Sequence, residues 1–313
     1  MSRKKILKKE FRRLARKRVR QLKSNFRDIA DTTDSRAVHD FRKATRRLQT
    51  IVDLFKVHRH AARANKIRRE LQAFRHAAGE WRDTDAMLQE LRRRRIRPAS
   101  TRECWHSLEN KVEKRRNRIS RQFVRNKHPR RLKRLEKSAA SFLKKEFKAK
   151  SMSADIADFI KREWEKWDRA VNDFAAQPTA PNLHAVRIRS KSLRYAIEMS
   201  FEFFPDPALQ RARKWLKKIQ ARVGAWHDEL MLGEHALAAF EKTPRDPGAL
   251  QAIRLIKQRE IAMAEAGRDL VLSIRRSPEY RATKRGLSAS VFALSDVRDP
   301  TAAATSNLAG PIG

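Results

Sequence analysis

The chain has a single cysteine, Cys104, which excludes an internal disulfide and any zinc cluster built on cysteines. Glycine numbers 8 and proline 11 in 313 residues, against roughly 7% and 5% in an average chain. Sheet proteins need many tight turns, which these residues supply, so their scarcity points to long helices. No run approaches the ~18 apolar residues of a membrane span. Acidic residues are few, 36 Asp+Glu against 75 Lys+Arg. Tyrosine is reduced to Tyr195 and Tyr280, and the aromatic platforms expected for single-strand binding are not evident. There is no Walker loop, nucleophile elbow or zinc-protease helix, so an enzyme is not expected.

What is there is charge. The formal net charge is +39 and 35% of residues are charged, yet 40% are hydrophobic, enough to build a core. A surplus of this size repels itself and calls for a polyanion. DNA, RNA, an anionic membrane face or a polymer of phosphate would each serve, and charge alone does not choose among them. The expectation is a helical, intracellular, cationic protein.

Helical periodicity runs from about residue 5 to 277. Phe11, Leu14, Ala15, Val19, Leu22, Phe26 and Ile29 fall at spacings of three and four and draw one apolar stripe. Thr33, Asp34 and Ser35 offer N-cap chemistry for a second helix reaching Phe55. A third helix is predicted to end near Gly79 and a fourth to start at Asp83. Pro98 and Pro129 punctuate the helices that follow. The pattern then restarts after Met152. His39, Arg42, Leu48, Leu71, Gly79, Trp81 and Asp83 reappear 145 positions on as His184, Arg187, Leu193, Leu216, Gly224, Trp226 and Asp228. This self-similarity reads as a tandem duplication. The fold expected is all-α: two pseudo-symmetric antiparallel bundles of four to five helices, residues 5–150 and 151–282, with a basic groove or pore between them. From about 283 to 313 the composition shifts to Ala, Ser, Thr, Gly and Pro with little charge, and a flexible tail is expected.

On a helical wheel, Val38, Phe41, Ala44, Leu48, Ile51, Val52 and Phe55 share one side. His39, Arg42, Lys43, Arg46, Thr50 and Asp53 take the other. The second copy sets His184, Arg187, Lys191, Tyr195 and Glu198 opposite Val186, Leu193, Ala196 and Ile197. Guanidinium forks spaced along a helix fit phosphate oxygens, and imidazole adds a hydrogen bond or a charge. Such a stripe reads phosphate without nucleoside. The competing explanation is an ordinary solvated basic face, which does not account for the same spacing appearing twice.

These two stretches, Val38–Phe55 and Leu183–Phe204, resemble the signature helices of the CHAD proteins, the conserved histidine α-helical domain. Ala78–Ala86 (AGEWRDTDA) resembles the glycine and Arg-Asp element of that family. The resemblance implies two helical bundles whose basic helices line a shared groove. It also implies binding of inorganic polyphosphate and cytoplasmic association with polyphosphate granules, without catalysis. Carried over, the binding positions are His39, Arg42, Arg46, Arg47, His184, Arg187, Arg189, Lys191 and Arg194, with Lys43 on the same stripe. Gln49 stands where the family has Arg and Ser192 where it has a basic residue. The expectation is either a weaker site at those two positions or compensation by Lys214, Lys217 and Lys218 on the next helix.

Nucleic acid is the competing partner, through the runs Arg92–Arg95 with Arg97, Lys114–Arg118 and Arg125–Arg134. Asp83 with Asp85, and His227 with Asp228 and Glu229, offer cation ligands, but N-capping accounts for the first aspartate of each. No metal, cofactor or catalytic residue is expected. The Arg-rich amphipathic N-terminus, which a transit peptide would also show, is read as the first helix of the first repeat.

Overall fold

The structure is a computed structural model that describes residues 3–32, 34–55, 61–93, 99–125, 128–146, 152–242 and 246–295. Thr33, Pro98, the basic positions Arg94, Arg95 and Arg97, the expected boundary near 150 and residues 296–313 lie outside the described residues. Among the described residues every element is helical. The order is α1 (Arg3–Thr32), α2 (Ser35–Leu54), α3 (Ala61–Arg93), a 3-10 turn (Ala99–Thr101), α4 (Arg102–Arg125) and α5 (His128–Glu146). Then come α6 (Met152–Ala176), α7 (Ala180–Phe201), α8 (Pro207–Phe240), α9 (Pro247–Arg276) and α10 (Pro278–Ser295). The all-α expectation holds.

The periodicity explains the helices. Buried Phe11, Leu14, Ala15, Leu22, Phe26 and Ile29 form the inner stripe of α1, while Val38, Phe41, Ala44, Leu48, Ile51 and Val52 do the same for α2. Starts in the second half carry strong caps. The Asp206 carboxylate accepts from the backbone N–H of Ala208 and Leu209, and Asp246 accepts from Gly248 and Ala249. In both cases proline follows at the first helical position, where its missing N–H costs nothing. Asp34 occupies the N-cap of α2 but makes no side-chain cap bond.

Two expectations are corrected. The break between Gly79 and Asp83 does not exist: α3 runs unbroken through both, and α8 runs through Gly224 and Asp228. The apolar seam Leu71, Phe74, Ala78, Trp81, Leu88 and Leu91 continues across the glycine, and that packing outweighs the roughly 1 kcal/mol a mid-helix glycine costs. Nor does a flexible tail begin at 283. Helix α10 extends to Ser295, with Thr283 and Leu287 buried against α6 and α8. Tyr280, at its start, lies among the rings of Trp164, Trp167 and Trp215, with its hydroxyl donating to Asp168.

Within residues 3–146, α1 packs on α2 and α5, α3 on α2, α4 and α5. Within residues 152–295, α6 packs on α7 and α10, α8 on α7, α9 and α10. One hydrophobic core runs through helices of both sets, and Phe11 stacks on Phe203 across the join at 5.5 Å between ring centroids. Buried Arg18 on α1 donates to Glu202 at 2.7 Å. A second, smaller core joins the far ends of α3, α4, α8 and α9 around Leu91, Trp105, Leu232 and Phe240. In between, α2 packs on α3, α3 on α8, α8 on α7 and α7 on α2. Four helices thus close on one another, and the two signature helices are neighbours.

Candidate functional site

The side chains facing this four-helix junction come from stripes that their apolar faces hold in place. On α2 the stripe is His39, Arg42, Arg46, Gln49 and Asp53. On α7 it is His184, Arg187, Lys191, Arg194 and Glu198, at the same three- and four-residue spacing. Helix α3 adds Arg75, Arg82 and Asp83, and α8 adds Gln220, His227 and Asp228.

Each half anchors its leading arginine on an aspartate of the following helix. Arg42 Nη1 donates to Asp83 Oδ1 and to the Gly79 carbonyl, each at 3.3 Å. A Cβ on Gly79 would sit 3.8 Å from Arg42 Nη2, so the guanidinium lies directly over the glycine. Arg187 Nη2 reaches Asp228 Oδ1 at 3.8 Å, and its buried Nε has no hydrogen-bond partner among the described residues. Asp83 and Asp228 are therefore ion-pair partners in helix interiors, which corrects their reading as N-caps. Asp85 turns the other way, to Arg116 Nε at 3.1 Å, and Glu229 pairs with Arg259. Among the described residues no group of three or more His, Cys, Asp or Glu is placed to hold a metal ion.

The next layer of the stripe is a hydrogen-bonded triad on each side. Arg75 Nη1 donates to Gln49 Oε1 at 2.6 Å, and Gln49 Nε2 donates to Asp53 at 3.1 Å. In the second half Arg194 Nε donates to Gln220 Oε1 at 2.8 Å, and Arg194 also pairs with Glu198. The arginine and the glutamine have exchanged helices: α2 carries Gln and α3 Arg, whereas α7 carries Arg and α8 Gln. Arg194 further lies over the buried Tyr195 ring at 4.4 Å, and Arg47 reaches Glu198 from α2 at 3.7 Å.

Crowding of cations governs the electrostatics. Burial, followed by Arg187, Arg46 and Arg42, pushes the Lys191 ammonium down to about 6. Burial and then Arg75 lower the Arg46 guanidinium to about 10. His227 is pushed down to about 4 by burial, Arg187 and His184, whose ring lies 5.2 Å away between centroids. His39 and His184 are lowered for the same reasons, burial first and then Arg82 and Arg187 respectively. Burial raises the Asp228 carboxyl against the opposing pull of Arg187. Every one of these shifts marks charge held out of water without enough countercharge. Beside the cluster, a cavity of about 270 Å³ is lined by Asp83, His227, Asp228, Arg115 and His235 over Met87, Val112 and Met231.

Of the residues singled out from sequence, Arg42, Arg46, His184, Arg187 and Lys191 come together here, as their mutual electrostatic influence shows, and His39 sits beside Arg82 and Arg42. Arg47 and Arg194 join through Glu198. Lys43 pairs with Asp40 at 2.7 Å on its own helix, and Arg189, Lys214, Lys217 and Lys218 are exposed. The residues that sequence reasoning missed are Arg75 and Arg82, and His227, read there only as a possible cation ligand, joins the cationic cluster instead. Arg75 and Arg82 lie seven apart on α3, a helical-face signal hidden by the supposed break at Gly79.

The family model described as the CHAD domain matches residues 13–237 of this chain. The chain belongs to the CHAD domain family. The CHAD fold is also seen in three dimensions: a crystal structure of the CHAD domain from the plant Ricinus communis superimposes with a TM-score of 0.59. The alignment is at 18% identity and covers 90% of this chain and 92% of that one. No curated protein matches the sequence. Both CHAD signature helices, α2 and α7, lie inside the matched region and supply most of the cationic cluster. No helix among the described residues is long and apolar enough to cross a membrane.

Proposed function

We propose that this CHAD protein binds inorganic polyphosphate without turning it over. The phosphate chain lies in a basic groove where α2, α3, α7 and α8 converge, and this binding directs the protein to polyphosphate granules. The observation that carries the reading is a partly desolvated cluster of Arg42, Arg46, Arg75, Arg187 and Lys191 around which, among the described residues, Asp53, Asp83, Glu198 and Asp228 provide the carboxylates. A string of closely spaced anions neutralises such a cluster, and guanidinium forks take phosphate oxygens two at a time. Membership of the CHAD family supports the choice of ligand. On the outer helices, several cations of the arginine runs are already paired: Arg92 with Glu109 and Glu113, Arg93 with Glu90, Arg115 with Glu80 and Arg131 with Glu70.

Competition tests this. Labelled long-chain polyphosphate, bound at about 150 mM salt, is challenged with duplex DNA, single-stranded RNA and unlabelled polyphosphate at matched phosphate concentration. Only polyphosphate should displace it. Arg46→Glu and Arg187→Glu should each lower affinity by at least about tenfold, since a charge-assisted hydrogen bond is worth about 1.5–3 kcal/mol, while Arg92→Ala leaves it unchanged. Equal displacement by DNA or RNA refutes the reading.

A further inference from the structure

Lys191 is the one cation of the cluster whose chemistry binding alone does not use. It lies on α7 one turn beyond Arg187 and two beyond His184. Helix α2, packed against α7, brings Arg42 and Arg46 to it, and α8 brings His227 and Asp228. Helix α6 covers another face of α7, where Trp167 donates to Ser190 at 2.8 Å. Asp228 engages Arg187, and among the described residues no hydrogen bond or ion pair holds the Lys191 amine. The half-buried ammonium faces three guanidinia and is partly withdrawn from water, with the Asp228 carboxylate only a minor offset. Burial and these guanidinia push the ammonium down to about 6. A lysine desolvated beside other cations is the standard way of making a nucleophilic amine at neutral pH.

We propose that Lys191 is an acylation site for small acyl phosphates. The proposal rests on the reading of this cluster as a phosphate site: Arg187 and Arg46 seat the phosphoryl end of the reagent, which delivers its carbonyl to Nζ. The amine lone pair forms the new N–C bond, the C–O bond to phosphate breaks with its electron pair, and the proton released by nitrogen leaves on the phosphate as hydrogen phosphate. The product is a neutral amide and free phosphate, with no other reactant needed. Acylation removes the amine that a bound polyanion would protonate and so lowers the affinity of the groove for polyanions, and the same residue couples the supply of activated acyl groups to phosphate-chain binding.

The test is residue-resolved acetylation of the full chain by acetyl phosphate, read by mass spectrometry. At pH 7.5 Lys191 should react at least tenfold faster than the exposed Lys214, Lys217 and Lys218. Its rate should reach half its maximum near pH 6 and stay flat to pH 9. The uncharged reagent N-acetoxysuccinimide should show several-fold lower preference for Lys191, because it has no phosphate to seat. A Lys191 rate no faster than the exposed lysines, a rate still climbing at pH 9, or equal preference with both reagents overturns the proposal. Labelled polyphosphate added to the same preparation separates the two readings. Binding with an unreactive Lys191 defeats this inference alone, whereas selective acetylation without polyphosphate binding defeats the proposed function and keeps a site for short acyl phosphates.

Discussion

Gln49 is one of two positions, with Ser192, at which this sequence departs from the pattern expected of CHAD proteins, and a guanidinium from the neighbouring helix meets it. Arg75 reaches across from α3 and donates to the Gln49 side chain, just as Arg194 on α7 donates to Gln220 on α8. Each triad keeps one guanidinium, one amide and one carboxylate, with Asp53 and Glu198 in the last role. Lys214, Lys217 and Lys218 are exposed on α8, whereas Arg75 is the cation that meets Gln49. Ser192 spends its hydroxyl on the Ile188 carbonyl of its own helix. If the charge matters and the helix that carries it does not, Arg75→Gln should weaken polyphosphate binding about tenfold, the equivalent of ~1.4 kcal/mol. The double exchange Gln49→Arg, Arg75→Gln should restore it to within about threefold. Titration binding of the three proteins decides the matter. A double variant as weak as Arg75→Gln alone means that the position of the guanidinium, and not its presence, is what binding reads.

At the scale of helices, the glycines separate local propensity from packing. Gly224 lies inside α8, and a Cβ built there meets nothing within 4 Å. Gly248 opens α9, and there a Cβ would sit 2.5 Å from the Ser100 backbone carbonyl, so only glycine lets α9 dock on the 3-10 turn. Gly224→Ala should stabilise the protein by up to ~1 kcal/mol by removing a mid-helix glycine. Gly248→Ala should destabilise it by about 1–3 kcal/mol, as overpacking does. Thermal unfolding of the two variants reads both signs. The same contrast explains how much was legible in the sequence. Apolar stripes such as Phe11 to Ile29 are long and periodic, so the all-α class and the cationic faces of α2 and α7 follow directly from spacing. Gly79 followed by Asp83 looks locally like a stop and a restart, yet Trp81 and Leu88 on the same seam bind α3 into one helix, a tertiary effect that no local signal carries. Composition likewise hid α10: Tyr280, Thr283 and Leu287 at three- and four-residue spacing are enough to seat it, although the segment around them is poor in apolar surface. Losing α3 as a single helix is also what concealed Arg75 and Arg82 as partners of the α2 stripe.

For the whole molecule, a net charge of +39 joins stability and ligand binding through protons. Lys191 holds its proton less tightly in the fold, about 6 against 10.5 for an ordinary lysine, and His227 about 4 against 6.5. His39 and His184 are shifted the same way. Between the folded and the ordinary values the unfolded chain binds more protons than the folded one, so raising the pH favours folding. For Lys191 that window is about 6 to 10.5, and for the histidines it lies below 6.5. The raised Asp228 and Asp85 carboxyls act in the opposite sense and only near the acid end, because their ordinary value is 3.8. The free protein should therefore melt at higher temperature as pH rises from 6 to 9. A bound polyanion reverses the local balance: phosphates beside Lys191, His184 and His39 favour their protonated forms, binding takes up protons, and affinity grows as pH falls. The increment in melting temperature that saturating polyphosphate confers should thus be largest near pH 6, shrink toward pH 9, and shrink again with added salt as counterion release weakens. An increment that is the same at both ends of that range would mean that the anions lie on the exposed arginine faces and never reach the buried cations between α2 and α7.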